Sequence, residues 1–267
     1  MGKTALGIGA LGITLVGCST SDGAPAVVGR VLPPANAAFD YQLGGAYEPT
    51  AATEIIARDR TATPDANRYN ICYVNGFQTQ PGETAMWLDD NPDLLLRDGD
   101  GDPQIDPEWP DEFILDTSTD EKRTRLEVIV GGWIDECADR GFQAVEIDNL
   151  DTYSRFPELL TADAAVDFAR ALSDRAHEVG MAIGQKNSAE LVSRRAETAF
   201  DFAVVEQCNK YDECAQFTAG YGDVVFIIEY EREDFERGCV AYPQLSIVLR
   251  DLELSAAGAP GYLNESC

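Results

Sequence analysis

Eight short apolar runs, each ending in a polar side chain and most followed by a helical pattern, constrain this chain more than any other feature. The runs are Phe39–Leu43, Ile71–Asn75, Phe113–Asp116, Ala144–Asp148, Ala182–Lys186, Phe202–Gln207, Val224–Tyr230 and Leu245–Asp251. Several are continuously apolar, as in Val224-Val-Phe-Ile-Ile, which suits parallel strands buried on both faces. Between them the period becomes that of a helix. Ser118-Thr-Asp-Glu121 is a capping-box pattern, and Leu126, Ile129, Trp133 and Cys137 then recur on one face, with Gly131-Gly132 as an interruption. Thr161 reads as the N-cap of a helix that buries Phe168, Ala169, Leu172, Ala176 and Val179, and Gly141 and Gly180 would stop these two helices. Eight strand-plus-helix units predict a single-domain α/β fold, a (β/α)8 TIM barrel over residues 35–267. An open doubly wound sheet is the alternative. It normally carries a glycine-rich phosphate loop after its first strand, where this chain offers only Gly44-Gly45.

The N-terminus carries an address. Lys3 precedes an apolar run from Ala5 to Val16, too short to span a bilayer, which ends in Leu15-Val16-Gly17-Cys18. This ending resembles a bacterial lipobox. Residues 1–17 are therefore expected to be a lipoprotein signal peptide, and Cys18 the lipidated first residue of the mature chain. A cleaved signal peptide that leaves Cys18 for a disulfide is the other reading. Residues 18–34, rich in Ser, Gly, Ala and Pro, read as a flexible tether. The expected location is the outer face of a bacterial cell membrane, touched through the lipid anchor only.

With Cys18 lipidated, six cysteines remain: Cys72, Cys137, Cys208, Cys214, Cys239 and Cys267. An even number in an exported chain predicts disulfides. Cys208 with Cys214 follows from proximity, and Cys239 with Cys267 would pin the tail. No Cys-x2-Cys pair exists, so no metal is expected.

Acidic residues number 47 against 20 basic ones, for a net charge of −27. Such a field repels nucleic acid, and an isolated monomer is expected. Solubility accounts for most of the charge. The single histidine, His177, falls on the polar side of its helix near the end, which reads as a solvated, helix-terminal imidazole. Ser-His-Asp catalysis and His-rich zinc sites are thereby disfavoured, and no nucleotide or dinucleotide signature calls for a cofactor. Carboxylates remain. The mouth of a (β/α)8 barrel forms at the C-terminal ends of its strands. Those ends read Gln42, Asn75, Asp116, Asp148, Lys186-Asn187, Glu206-Gln207, Glu229-Tyr230 and Asp251. One carboxylate after a strand is often only an N-cap. Several, with amides beside them, point to a shared pocket in which two carboxylates could hydrolyse a glycosidic bond.

Seven segments sharpen this reading: Tyr41-Gln-Leu, Ile71-Cys-Tyr-Val-Asn, Trp109-Pro-Asp-Glu, Gly141-Phe-Gln-Ala-Val-Glu-Ile-Asp-Asn-Leu-Asp, Gly184-Gln-Lys-Asn, Val205-Glu-Gln-Cys and Ile228-Glu-Tyr. In this order they resemble the endo-α-1,4-polygalactosaminidase family of glycoside hydrolases, which includes spherulin-4-like proteins. The resemblance implies a (β/α)8 barrel and hydrolysis of α-1,4-linked galactosamine polymers, with catalytic carboxylates in its D-N-x-D and E-Q-C motifs. Carried over, these are Asp148 as nucleophile and Glu206 as general acid/base. Glu206 would then need a raised pKa, and Lys186 would help to keep a neighbouring carboxylate ionised. Gln42, Asn75, Asp151, Lys186, Asn187, Glu229 and Tyr230 are the expected sugar contacts. Asp151 could equally cap a turn, Glu229 is the rival acid, and Trp87 and Trp109 are stacking platforms or core. The implied partner is a cationic polysaccharide, cut internally and, by analogy with other barrels, with retention. Asp98-Gly-Asp100-Gly-Asp102 opens like a calcium loop but continues with Pro103 and Trp109, so a solvated turn is expected. Two other readings stay open: a Schiff-base aldolase built on Lys186, and a non-catalytic carbohydrate-binding surface lipoprotein.

Overall fold

The computed structural model describes residues 1–2 and 29–267, so the apolar leader, Cys18 and most of the tether lie outside the described residues. Eight strands follow one another in parallel: β1 (Phe39–Gln42), β2 (Ile55–Asp59), β3 (Tyr69–Asn75), β4 (Ala144–Asp148), β5 (Ala182–Lys186), β6 (Phe202–Glu206), β7 (Val225–Glu229) and β8 (Ser246–Arg250). A ninth, β9 (Asn264–Ser266), runs antiparallel to β8. It fills the seam between β8 and β1, where Asn264 Nδ2 donates to Asp40 Oδ1 at 2.7 Å.

The two-residue period of a strand sorts the side chains into two layers. Phe39, Ile55, Ile71, Phe202 and Phe226 fill the barrel, while alternate residues such as Val74, Val145 and Ile183 pack against the helices. A Cβ on Gly184 would stand 2.4 Å from the Phe202 ring, so β5 needs glycine there for the ring to occupy the barrel interior.

Among the described residues six α-helices flank the barrel: α1 (Asp120–Arg140), α2 (Thr152–Arg155), α3 (Ala162–Glu178), α4 (Arg195–Thr198), α5 (Cys214–Tyr221) and α6 (Arg232–Ala241). Helix α1 passes unbroken through Gly131-Gly132 and ends at Gly141, whose φ of 94° suits a residue without Cβ. Its cap is Thr119, which accepts the Lys122 amide, and not Ser118, whose own N–H is taken by Asp116. Thr161 caps α3 as expected, but Val179, at the C-cap, is exposed. Among the described residues no helix is long and apolar enough to cross a membrane.

The barrel departs from the expected pattern in its first third. Phe113–Asp116 is no barrel strand. It makes isolated bridges to Gln78, Leu95 and Ile105 within the long excursion after β3. The second strand is Ile55–Asp59, which its Arg and Asp disguise. Arg58 is nevertheless buried, because Gln42 Oε1 and the carbonyls of Thr63 and Tyr47 accept its guanidinium at 2.7–2.9 Å. Neither β1 nor β2 is followed by a helix, so the eight-unit count overstated the helices.

Among the described residues three disulfides staple the fold: Cys72–Cys137 joins β3 to α1, Cys208–Cys214 closes the loop after β6, and Cys239–Cys267 ties α6 to β9's end. At the floor of the barrel, the Tyr69 hydroxyl donates to Val31 O at 2.6 Å and Arg30 pairs with Asp201 at 3.0 Å. His177 also meets Asp201, at 2.9 Å, and is half-buried where a solvated imidazole was expected.

Candidate active site

Asp148, Lys186 and Glu206 close three consecutive strands. Each is followed by an amide residue in the left-handed region: Asn149 (φ 65°), Asn187 (φ 49°) and Gln207 (φ 57°). That region is unfavourable for most side chains, and such backbone clusters where a fold over-determines it. The turn at Asn149 brings its N–H to Asp148 Oδ1 at 2.7 Å and its amide to Asn75 Oδ1 at 2.8 Å. The turn at Asn187 sends its amide to Glu206 Oε2 at 3.1 Å.

Lys186 Nζ lies at the centre, fully surrounded. It stands 3.2 Å from Asp148 Oδ2, 3.2 Å from Glu206 Oε2 and 3.4 Å from Glu146 Oε1, and it donates to the Tyr41 hydroxyl at 3.1 Å. Tyr73 OH donates to Asp148 Oδ2 at 2.8 Å, and Tyr230 OH donates to Glu206 Oε1. Burial alone would raise Glu206, but the Lys186 charge and hydrogen bonds from Tyr230 and Asn187 hold it below the ordinary carboxylate range. The raised value expected for this group is therefore not what the free protein has. Burial would likewise lower the Lys186 amine, yet the three carboxylates outweigh it and keep the amine well above its usual value. An ammonium paired with three carboxylates at 3.2–3.4 Å is poorly placed to act as a free amine nucleophile, which weighs against the Schiff-base reading.

Above these groups opens a cleft of about 740 Å³. The excursion after β3 supplies Trp109 and Glu112 to its wall, and the disulfide loop after β6 supplies Tyr211 and Glu213. Trp109 and Tyr211 are both 59% exposed.

Residues 20–267 match the sequence model of glycoside-hydrolase family GH114. The chain belongs to that family. Its fold is shared with Ega3 from Aspergillus fumigatus, solved as a complex with galactosamine, at a TM-score of 0.69 and 23% identity over 90% of this chain and 98% of that one. The glycoside hydrolase domain of PelA from Pseudomonas aeruginosa follows at a TM-score of 0.55 and 12% identity, over 84% and 97%. No curated protein sequence matches this chain. The family resemblance carried by the motifs holds, and so does the barrel. This GH114 chain is a glycosidase.

Several residues expected at the mouth of the glycosidase are elsewhere. Glu229 points outwards, between the inward Ile228 and Tyr230, and accepts the backbone and side-chain N–H of Asn209 at 2.9 Å. It cannot be the rival acid. Gln42 is buried behind the cleft between Asp40, at 2.8 Å, and Arg58, at 2.9 Å. Asn75 is also withdrawn, fixing Asn149 and donating to Glu112 at 2.8 Å. Trp87 is core, edge-on to Trp133. Asp116 pairs with Lys122, and Asp251 accepts the N–H groups of Ser255 and Leu263. Asp151, Asn187 and Tyr230 do line the cleft, Asp151 paired with Arg155 at 3.0 Å.

Sequence reasoning missed Glu146, Tyr41, Tyr73 and Arg155. The first three were readable from period-two spacing, since Glu146 shares a face with Asp148, and Tyr73 with Asn75. Arg155 carried no signal. It joins Asp106, Gln78 and Asp151 across two loops that only the fold brings together.

In the Asp98–Asp102 turn, Asp98 Oδ1 accepts the amides of Asp100 and Asp102, at 3.0 and 2.9 Å. The one close cluster of donors among the described residues, Cys208, Cys214 and Glu229, has both sulfurs in a disulfide.

Proposed function

We propose that this glycosidase cuts an α-1,4-linked, galactosamine-containing polysaccharide internally and with retention, Asp148 attacking the anomeric carbon and Glu206 serving as acid and then base. The observation that carries the reading is the shared Lys186 ammonium. At 3.2 Å from each partner, it leaves Asp148 Oδ2 and Glu206 Oε2 no further apart than twice that distance. Retaining enzymes hold their carboxyls about 5–5.5 Å apart, a separation this arrangement admits. Three donors, from Asn149, Tyr73 and Lys186, aim the Asp148 carboxylate.

The substrate class is supported by the galactosamine bound to Ega3 and by the charge of the cleft, whose wall carries nine carboxylates but only Lys186 and Arg155 as cations. A free amine on the sugar would be drawn into such a field. Trp109 and Tyr211, exposed on different loops, suit sugars flanking the cut. Because Lys186 holds Glu206 ionised in the free protein, the acid step needs a proton delivered to it. The Leu15-Val16-Gly17-Cys18 segment supports export and anchoring through a lipid on Cys18, with the barrel acting as a monomer.

The test is oligosaccharide release from partly deacetylated α-1,4-galactosamine polymer. Asp148→Asn and Glu206→Gln should each abolish release with melting curves unchanged, and the first product should have the α configuration. Full activity in either variant refutes its assignment. Loss of acyl labelling in Cys18→Ser checks the anchor.

A further inference from the structure

Glu146 is the most deeply buried carboxyl of the site, and catalysis by Asp148 and Glu206 gives it no task. It precedes Asp148 by two residues on β4, so both side chains point into the barrel, Glu146 completely buried and Asp148 at the mouth. Its Oε1 accepts the Tyr41 hydroxyl at 2.7 Å and faces Lys186 at 3.4 Å. Its Oε2 meets no hydrogen-bond donor among the described residues. The titratable groups around it are Tyr41 from β1, Tyr73 from β3, Asp148 on its own strand, Lys186 from β5 and Glu206 from β6.

Lys186 is the only cation of this set, and it touches all three carboxyls. One ammonium cannot compensate three carboxylates at such short range, and an uncompensated buried charge is costly. A proton must therefore stay in the cluster over a range of pH where isolated carboxyls would have lost theirs. Glu146 is where it rests: burial pushes it up to about 7, with Asp148 and Glu206 adding to the push against Lys186 and Tyr41.

We propose that Glu146 is a positioning residue that stores the proton Glu206 needs, the two carboxyls sharing one proton across the Lys186 ammonium. The proposal rests on Glu206 being the general acid. Transfer is balanced: the ammonium gives one proton to Glu206 Oε2 and takes one from Glu146 Oε1, ending as it began while the negative charge moves from Glu206 to Glu146. Carboxyls coupled this way lose their protons in macroscopic steps that belong to the pair. The cluster keeps one proton up to the Glu146 range, and a fraction of molecules carries it on Glu206, ready for the leaving oxygen.

The pH dependence of kcat/KM in wild type and Glu146→Gln tests this. The wild-type alkaline limb should fall near the Glu146 value of about 7. In Glu146→Gln the store is gone and Glu206 faces Lys186 alone, so the limb should move down by more than about two pH units, to below the ordinary carboxylate range where Lys186 holds Glu206. Activity near neutral pH should then drop by about a hundredfold or more, while activity on the acid side of the shifted limb survives. Glu146→Asp should return the limb towards wild type. An equal loss at every pH would show a purely structural residue and overturn the proposal. Carboxyl carbon NMR of the wild-type protein provides a second arm that needs neither a variant nor a substrate. Glu146 should titrate near neutral pH, and the Glu206 resonance should respond to the same step. A Glu146 that titrates in the ordinary carboxylate range, or a Glu206 that ignores its step, overturns the proposal. Absence of turnover on galactosamine polymer, with the NMR step present, counts against the proposed function alone.

Discussion

Asn187 grips Glu206 by both ends of its amide: Oδ1 accepts the Glu206 backbone N–H at 2.8 Å, and Nδ2 donates to Oε2 at 3.1 Å. The left-handed turn at φ 49° makes this possible, and Asn tolerates that turn better than most residues. Asn187→Ala should cost about 1–2 kcal/mol in backbone strain and about 1.5–3 kcal/mol in the lost bond to a charged acceptor. We expect kcat to fall about 10- to 100-fold with KM within about threefold, since the loss is in aim and not in substrate contact. Asn187→Gly, which keeps the turn, should lose the activity but less of the stability. Steady-state kinetics beside urea unfolding would check both, and a wild-type kcat in Asn187→Gly would refute the aiming role.

Stability should carry the mark of Glu146. Its carboxyl moves from 4.5 to about 7 on folding, so its contribution is full below about 4.5 and is lost as pH rises through about 7. Glu206, held low, contributes in the opposite sense, its share disappearing as pH falls. Between pH 5 and 8 the wild type should lose on the order of 3 kcal/mol relative to Glu146→Gln. Urea unfolding at the two pH values measures this, and parallel curves would contradict it.

The disulfides should rank oppositely for stability and for activity. Cys72–Cys137 spans a separation of 65 residues and Cys208–Cys214 only 6. Chain entropy then predicts losses of about 4 and about 2 kcal/mol on their removal. The small loop, however, carries Tyr211 and Glu213 to the cleft wall. Paired serine variants should show the larger stability loss at Cys72–Cys137 and the larger fall in kcat/KM at Cys208–Cys214.

Glu229 offers a control for the acid. Glu229→Gln keeps an acceptor for Asn209 and should stay within about threefold of wild-type kcat, whereas Glu206→Gln should lose about 10²- to 10⁴-fold. A comparable collapse in both would reopen the assignment.

Strands β3 to β8 were legible because each is an apolar run closed by a polar group, and that pattern is what a strand buried on both faces demands. Strand β2 was hidden because its Arg58 is buried by partners that sequence cannot show: Gln42 and the carbonyls of Thr63 and Tyr47. Phe113–Asp116 misled because three or four apolar residues look alike in a barrel and in a loop that bridges to itself. At the site, reading only the last polar residue of each run found Asp148, Lys186 and Glu206. It also admitted Gln42 and Glu229, which have the wrong parity for the interior. Following the alternation inward from each end would have excluded Glu229 and included Glu146, Tyr41 and Tyr73. What no pattern could supply is the number of carboxyls sharing Lys186, a property of three strands at once.

The contacts of Arg30 with Asp201 and of Val31 with Tyr69 fix where the chain enters: at the floor, opposite the strand ends that bear Asp148 and Glu206. Under the proposed lipidation of Cys18, the anchor would join the barrel on its floor side, at the end away from Asp148 and Glu206. The tether and the cleft would then sit at opposite ends of the barrel, so the chain that joins protein to lipid would not cross the path of a bound polymer.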